Sequence, residues 1–247
     1  GDGSAHGLNL ESEAHTELSG TNTDFLHSVA VAAKAQQLIT GGEDGVVAVW
    51  DLRSSTSVAS LAPPVPPHAT NTRSWAAALE VDDEGNWLTV AGGADFTDGK
   101  SSPATAGHMS LWHVPSRTIV SHAFTPSPIH AFTHHEGTLL SVGAEPLVTY
   151  WDVHPSSGGP AGGGLDVSGR ANCTIPSAYC ALSIASGESP KTVESENAAM
   201  LDVGADLEPT IEDDELEHCE VLCVGGRSPF VECFANPSSP SFTLRVT

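Results

Sequence analysis

ITGGEDGVVAVWDLR, residues 39–53, contains two apolar runs separated by a short segment of Gly, Glu and Asp. Apolar residues that alternate with small or polar ones indicate β-strands, and Asp-Gly between two such runs is typical of a tight turn. The second run ends in an aromatic–acid pair, Trp50-Asp51. If this unit recurs along the chain, the repeat determines the architecture.

The unit does recur when the chain is aligned on the aromatic residue that ends the second run. WLTVAGGA with GHMSLWHV, LLSVGAEPLVTYWDV and VLCVGGRSPFVECFA place Trp112, Trp151-Asp152 and Phe234 in the slot of Trp50. Each copy has a cluster of small residues before its turn and one further strand candidate on either side. The sequence therefore predicts four copies of four strands each.

The spacing of the copies indicates a known kind of repeat with insertions. The aromatic residues are 62, 39 and 83 residues apart, and the middle interval is close to the repeat of about 40–45 residues in a WD40 blade. We interpret 94–106 as an insertion in the second copy and 186–218, which is rich in acidic residues, as a surface insertion in the fourth. The long intervals then agree with the same repeat.

These copies predict an all-β chain of the WD40-type β-propeller class, with about four blades at 25–62, 73–124, 127–175 and 177–247. A β-sandwich is the alternative, but it does not require an aromatic residue to recur in one slot. Residues 1–24 show no strand pattern, which predicts a polar linker or the remnant of a preceding blade. Because four blades rarely close a ring, we expect the C-terminal part of a seven-blade propeller.

The first copy also has the polar residues of a WD blade. His27 precedes the first strand, Thr40 lies in the second, Asp44 in the turn and Trp50 at the end of the third. In such blades these side chains form a buried hydrogen-bonded chain, which is tolerated only if every polar group has a partner. The other three copies keep the apolar pattern without this set.

Composition excludes several functions. The net charge of −22 and nine scattered basic residues disfavour autonomous binding to nucleic acid. No apolar run reaches the roughly 18 residues of a membrane span.

The five cysteines, none in a CxxC pair, are interpreted as reduced apolar residues rather than metal ligands; they are Cys173, Cys180, Cys219, Cys223 and Cys233. We predict no cofactor, no metal site and no catalytic set, so the chain is not expected to be an enzyme.

The stretch from Trp50 to Arg53, WDLR, has a second interpretation. WD proteins that act as substrate receptors of cullin–RING ubiquitin ligases carry a W-D-x-R element whose Arg contacts the adaptor. A guanidinium suits such an interface because it donates in a planar fork. The alternative is that Arg53 follows the WD pair by chance or for solubility.

The chain from about Arg73 to Val246 resembles the THO complex subunit 6 family. The resemblance rests on RSWAAALEVDDEGNWLTVAGG with HMSLWHVPSRTIV, on SPIHAFTHHEGTLLSVGAEPLVTYWDV and on HCEVLCVGGRSPFVECFANPSSPSFTLRV, in that order. This sequence departs from the family pattern in two ways. The family's N-terminal blades are missing from it, and the acidic insertion at 186–218 is not part of the family pattern.

The resemblance implies a nuclear WD-repeat scaffold subunit of THO, the part of the transcription–export complex TREX that supports mRNA processing and export. It implies other THO subunits as partners, contact with RNA only through the assembly, and no membrane association. The family has no catalytic residues to carry over. A ligase receptor or a scaffold of another complex remains the alternative.

Overall fold

The structure, a computed structural model, describes residues 2–67, 69–97, 103–135, 137–153, 164–176, 178–190, 216–235 and 239–246. The regular elements in this part of the chain are all β-strands. The all-β class predicted from the alternating runs is therefore confirmed.

The first two strands lie where the sequence predicts none. Strands β1 (Ala5–Leu8) and β2 (His15–Leu18) pair as an antiparallel hairpin within residues 1–24. The segment is short and polar, so it has no period-two apolar signal, and only Leu18 is fully buried in these strands. The sequence pattern therefore misses this hairpin.

The remaining strands form four antiparallel sheets of four strands, and in each sheet the strand order follows the chain. The first sheet contains β3 (Leu26–Ala32), β4 (Gln37–Gly42), β5 (Val47–Asp51) and β6 (Thr56–Leu61). The second contains β7 (Thr70–Val81), β8 (Trp87–Thr97), β9 (Pro103–His113) and β10 (Thr118–Thr125). The third contains β11 (Ile129–His135), β12 (Thr138–Gly143), β13 (Leu147–Val153) and β14 (Leu165–Asn172). The fourth contains β15 (Tyr179–Pro190), β16 (Leu216–Gly226), β17 (Phe230–Phe234) and β18 (Phe242–Arg245).

Both predicted insertions begin and end as strand. Strands β8 and β9 continue their ladder through 94–97 and 103–106, ending at the pair Thr97 and Pro103. Strands β15 and β16 likewise pair as far as Pro190 and Leu216. A ladder gains a hydrogen-bonded pair with each added step, so it can extend through residues with little apolar patterning. The rest of the insertions, 98–102 and 191–215, lies outside the described residues.

Consecutive sheets pack face to face through three apolar clusters. The first and second sheets share one that includes Ile39, Val49 and Trp112. The second and third share a cluster around Met109 and Trp151, and the third and fourth share one that joins Val142 and Val148 to Tyr179 and Phe234. In each pair, the aromatic residue at the end of the third strand belongs to the later sheet and faces the earlier one. Burial of these faces is the main favourable term that holds the sheets together.

The first strands of the sheets also lie close to one another. Strand β7 contacts β3 and β4, strand β11 contacts β7, β8 and β9, and strand β15 contacts β11 and β12. The convergence of β3, β7, β11 and β15 creates a cleft that side chains from all four sheets can reach.

Candidate functional site

Four aromatic residues occupy equivalent positions on the third strands of the four sheets. Each lies opposite a leucine on the neighbouring second strand. Trp50 faces Leu38 and Trp112 faces Leu88. The other two pairs are Trp151 with Leu139 and Phe234 with Leu222. All four aromatic side chains are at most 5% exposed. The acids that follow two of them, Asp51 and Asp152, lie one step further along, opposite Gln37 and Thr138, and are partly exposed.

The first sheet contains a buried polar chain. The indole Nε1–H of Trp50 donates to Thr40 Oγ1 at 3.0 Å, and the Thr40 hydroxyl donates to Asn22 Oδ1 at 2.7 Å. The Asn22 amide then donates to the Val46 carbonyl at 2.9 Å and reaches the Asp44 carboxylate at 3.3–3.4 Å. Asp44 in turn accepts from the backbone N–H of Thr23 at 2.7 Å and of Val46 at 3.0 Å. The chain ties the turn to the strands and to the segment before β3.

His27 does not take part in these hydrogen bonds, so the predicted set of four is wrong at this residue. The register of β3 against β4 shifts between Leu26 and Ser28, which makes His27 the extra residue of a β-bulge. A bulge redirects its side chain, and His27 lies 3.6 Å from Glu43 instead. Asn22 takes the bridging position. Its role depends on a contact with a turn 22 residues away, which no local spacing indicates.

The same bulge occurs in the first strand of every sheet. The register shifts leave His27, Ala77, His130 and Cys180 as the extra residues of β3, β7, β11 and β15. All four line one cleft of about 590 Å³. Bulges commonly direct side chains toward functional sites. The repeat therefore builds the cleft: each sheet contributes its bulge residue.

A glycine opposite each bulge makes this geometry possible. A Cβ at Gly42 or Gly92 would lie 2.1 Å from a backbone carbonyl oxygen in or just before the facing first strand, and at Gly143 or Gly226 the distance would be 2.0 Å. Real Cβ atoms do not approach that closely, so another residue type would displace the backbone. The small-residue cluster of each copy thus has a physical cause at one of its positions.

Charged groups surround the mouth of the cleft. Arg73 Nη2 lies 3.0 Å from Glu43 and 3.6 Å from Asp24, and Asp95 accepts from Thr105 Oγ1 at 2.7 Å. Arg73 is 64% exposed at its side chain, so these ion pairs add little stability. Glu43 and Asp95 line the cleft together with Arg73, so its mouth has more negative than positive charge at neutral pH. Trp75, which also lines the cleft, adds an aromatic surface.

His108 contacts β7, the strand that contains the bulge of the second sheet. Its Nε2 lies 3.1 Å from the carbonyl oxygen of Trp75, to which a ring N–H at this position donates. His108 is 1% exposed, and its Nδ1 has no hydrogen-bond partner among the described residues. Burial lowers the pKa of His108 to about 4, and the bond to Trp75 opposes that shift only in part. The imidazole is therefore neutral at physiological pH.

The indole partners differ between the sheets. Trp151 donates to Ser141 at 2.8 Å across the same strands as Trp50 and Thr40. In the second sheet the hydroxyl position holds Val90, and Trp112 donates to Ser110 of its own strand at 2.9 Å. In the fourth sheet Phe234, which has no polar group to satisfy, accompanies an aliphatic residue at that position, Val224. The prediction that only the first copy has the polar set misses this indole–hydroxyl bond in the third sheet.

The fourth sheet has a polar cluster of its own, which the sequence pattern does not indicate. Glu232 is fully buried and accepts from the backbone N–H of Thr174 at 2.8 Å and from the hydroxyls of Thr174 and Tyr179. Burial favours the protonated form of Glu232, but these donors together outweigh it and keep its pKa below the ordinary value. A carboxylate held in this way ties the segment before β15 to strand β17.

Arg53 is exposed and paired within its own motif. Its Nε and Nη2 donate to the two oxygens of Asp51 at 3.0 and 2.9 Å. These hydrogen bonds lower the pKa of Asp51 to about 2. The side chain of Arg53 remains 67% accessible.

The first sheet has an apolar face that its counterparts do not expose. Val29 pairs with Thr40 and Val31 with Leu38, and they are 57% and 53% exposed. The equivalent positions in the second sheet, Leu79 and Val81, pack into the cluster shared with the first sheet. The hairpin covers only the outer part of this face, where Leu18 packs with Ala48 and Trp50. This position favours the remnant interpretation of residues 1–24, which stays a prediction.

The described residues contain no group of three or more His, Cys, Asp or Glu side chains placed to hold a metal ion. Within the same residues there is no helix long and apolar enough to cross a membrane.

Comparison with known proteins identifies relatives over nearly the whole chain. Mouse THO complex subunit 6 homolog and human THO complex subunit 6 are each 25% identical over 248 residues, which is 99% of this chain and 57% of theirs. The resemblance to THO complex subunit 6 is confirmed. The Arabidopsis thaliana THO complex subunit 6 is 25% identical over 62% of this chain. The chain spans little more than half the length of the mammalian THO complex subunit 6 proteins.

The fold is that of a WD40 domain. The crystal structure of the WD40 domain from Toxoplasma gondii coronin superposes with a TM-score of 0.50 at 17% identity, covering 74% of this chain and 43% of that one. The predicted WD40-type class is therefore confirmed. No family model matches the chain.

Proposed function

We propose that the chain is a non-catalytic WD-repeat scaffold subunit of the THO complex, acting within TREX in the nucleus. In this role it supports mRNA processing and nuclear mRNA export through contacts with other THO subunits. The observation that carries the proposal is the 25% identity, over 99% of the chain, to proteins named THO complex subunit 6.

The surface of the molecule supports a role in binding proteins. Stacked sheets form a rigid support, and such supports bind partners with little internal movement. The cleft collects side chains from all four sheets, and the face with Val29 and Val31 adds exposed apolar area. A net charge of −22 repels a phosphate backbone. RNA is therefore contacted through the assembly rather than by this chain.

The test is affinity purification of the tagged chain from nuclei, followed by mass spectrometry. THO subunits are expected with the wild type. Arg73→Glu reverses the charge of the arginine that lines the cleft and tests whether the cleft contributes. Lys34→Glu is the matched control, because Lys34 is similarly exposed and ion-paired, to Glu84, but does not line the cleft. Recovery of the wild-type chain without any THO subunit would overturn the proposal.

The exposure of Arg53 supports a second candidate, a substrate receptor of a cullin-4-type RING ligase. The guanidinium and Asp51 form a ready-made, accessible pair at the end of β5. This candidate predicts that Arg53→Ala abolishes recovery of the ligase adaptor while the chain stays folded. Lys34→Ala removes a charge of equal sign elsewhere and serves as its control. Equal adaptor recovery from Arg53→Ala and wild type would remove this candidate.

A further inference from the structure

Two cysteines of the fourth sheet face each other across neighbouring strands. Cys223 of β16 and Cys233 of β17 are direct partners in the ladder, and their sulfur atoms are 3.6 Å apart. Directly opposite residues in antiparallel strands have Cα atoms about 4.5–5.5 Å apart, within the roughly 4.4–6.8 Å range found in disulfides. The backbone geometry of this pair therefore already suits a disulfide. Only the sulfur atoms need to approach, to about 2.05 Å.

The two thiols differ in access. Cys233 is fully buried, whereas Cys223 is partly exposed. Burial, assisted by the contact with Cys223, raises the pKa of Cys233 to about 11. A small oxidant thus reaches Cys223 first, and Cys233 remains a thiol beside it. This is the arrangement of an attacked cysteine with a resolving neighbour.

We propose that Cys223 and Cys233 form a thiol-oxidation site at which a peroxide produces a reversible intrachain disulfide. The Cys223 thiolate attacks one oxygen of hydrogen peroxide, and the O–O bond breaks to leave a sulfenic acid and, after protonation, water. The Cys233 sulfur then attacks the sulfenic sulfur, loses its proton, and a second water leaves. The two thiols lose two electrons in all, and the peroxide gains them. A dithiol reverses the bond by exchange.

The other described cysteines provide contrasts. Cys180 is exposed in the cleft on β15, so it reports whether oxidant is present and reactive. Cys173 packs against the apolar cluster that the third and fourth sheets share, and burial raises its pKa to about 12. The proposal concerns the geometry of one sheet and does not depend on the proposed assembly.

The test is to treat the full chain with hydrogen peroxide, block free thiols, digest without reduction and map linked peptides by mass spectrometry. The expected product joins Cys223 to Cys233, is lighter by two hydrogen atoms and disappears with dithiothreitol. Cys180→Ser should give the same product, and Cys223→Ser should not. A higher melting temperature is expected for the oxidised wild type, because the link restricts the unfolded chain.

Two results would overturn the proposal. One is an absence of the Cys223–Cys233 link under conditions that oxidise Cys180. The other is a dominant link from Cys223 to a different cysteine or to another molecule. If Cys223→Ser fails to fold, as judged by circular dichroism, the comparison of wild type with Cys180→Ser decides on its own.

Discussion

The indole of each tryptophan slot must be matched with an acceptor, and the four sheets show how that requirement is met. Trp50 and Trp151 use a hydroxyl across the strands, Trp112 uses a hydroxyl on its own strand, and Phe234 needs none. An unsatisfied buried donor costs about 1–3 kcal/mol, whereas removing both partners together can be nearly neutral. The identity of the slot residue and that of its hydroxyl partner are therefore linked.

Thr40→Val is expected to destabilise the chain by about 1–3 kcal/mol, because it leaves Trp50 Nε1 and Asn22 Oδ1 without partners. Trp50→Phe with Thr40→Val recreates the combination present in the fourth sheet, Phe234 with Val224. We expect the double variant to be destabilised by less than the sum of the single variants. Urea denaturation of the four proteins gives the coupling energy. Strict additivity would show that the indole–hydroxyl bond contributes nothing.

His108 makes stability depend on pH. Its pKa is about 4 in the folded chain and 6.5 ordinarily. The unfolded state therefore binds more protons between these values, and stability is lost as pH falls from about 6.5 to 4. His108→Gln should weaken the dependence of the melting temperature on pH in this window. His122→Gln, at an exposed site, should leave that dependence unchanged. If the curves for His108→Gln and wild type are parallel, the buried neutral imidazole is not the cause.

At the scale of elements, the hairpin takes the place that an earlier sheet occupies elsewhere. Leu18 is 2% exposed and packs with Trp50, although its strand is otherwise exposed. Leu18→Ala should cost about 2–5 kcal/mol and should increase quenching of tryptophan fluorescence by acrylamide. Leu10→Ala is the matched control, because Leu10 lies in the same hairpin and is 88% exposed. Equal quenching in the two variants would mean that the hairpin does not cover Trp50.

The sequence predicts the elements whose signal is local. The aromatic slot and the alternation around Trp50, Trp112 and Trp151 are periodic, and the four sheets agree with them. The hairpin, the bulge at His27 and the role of Asn22 depend on contacts between distant residues. A bulge shifts the pattern by one residue without changing composition. The glycine opposite the bulge is the only local sign of it in the sequence, and Gly42 stands there as one member of a small-residue cluster.

At the scale of the molecule, one face-to-face contact is used three times. Each later sheet presents its aromatic slot and its first strand to the sheet before it, as Leu79 of β7 does against Gly41 of the first sheet. The first sheet has the same kind of face, but Val29 and Val31 remain more than half exposed there. Equivalent positions thus lie in different environments within one chain, which allows a direct comparison.

Substituting equivalent positions separates sequence from environment. Val29→Asp is expected to change the free energy of unfolding by no more than about 0.5 kcal/mol, because its carboxylate stays hydrated. Leu79→Asp should cost several kcal/mol, since it places a charge among the apolar side chains that join the first two sheets. Urea denaturation of both variants tests the contrast. A large loss of stability for Val29→Asp would mean that this face is covered in the folded chain. The first sheet would then pack against a neighbour through this face, as each of the other three sheets does.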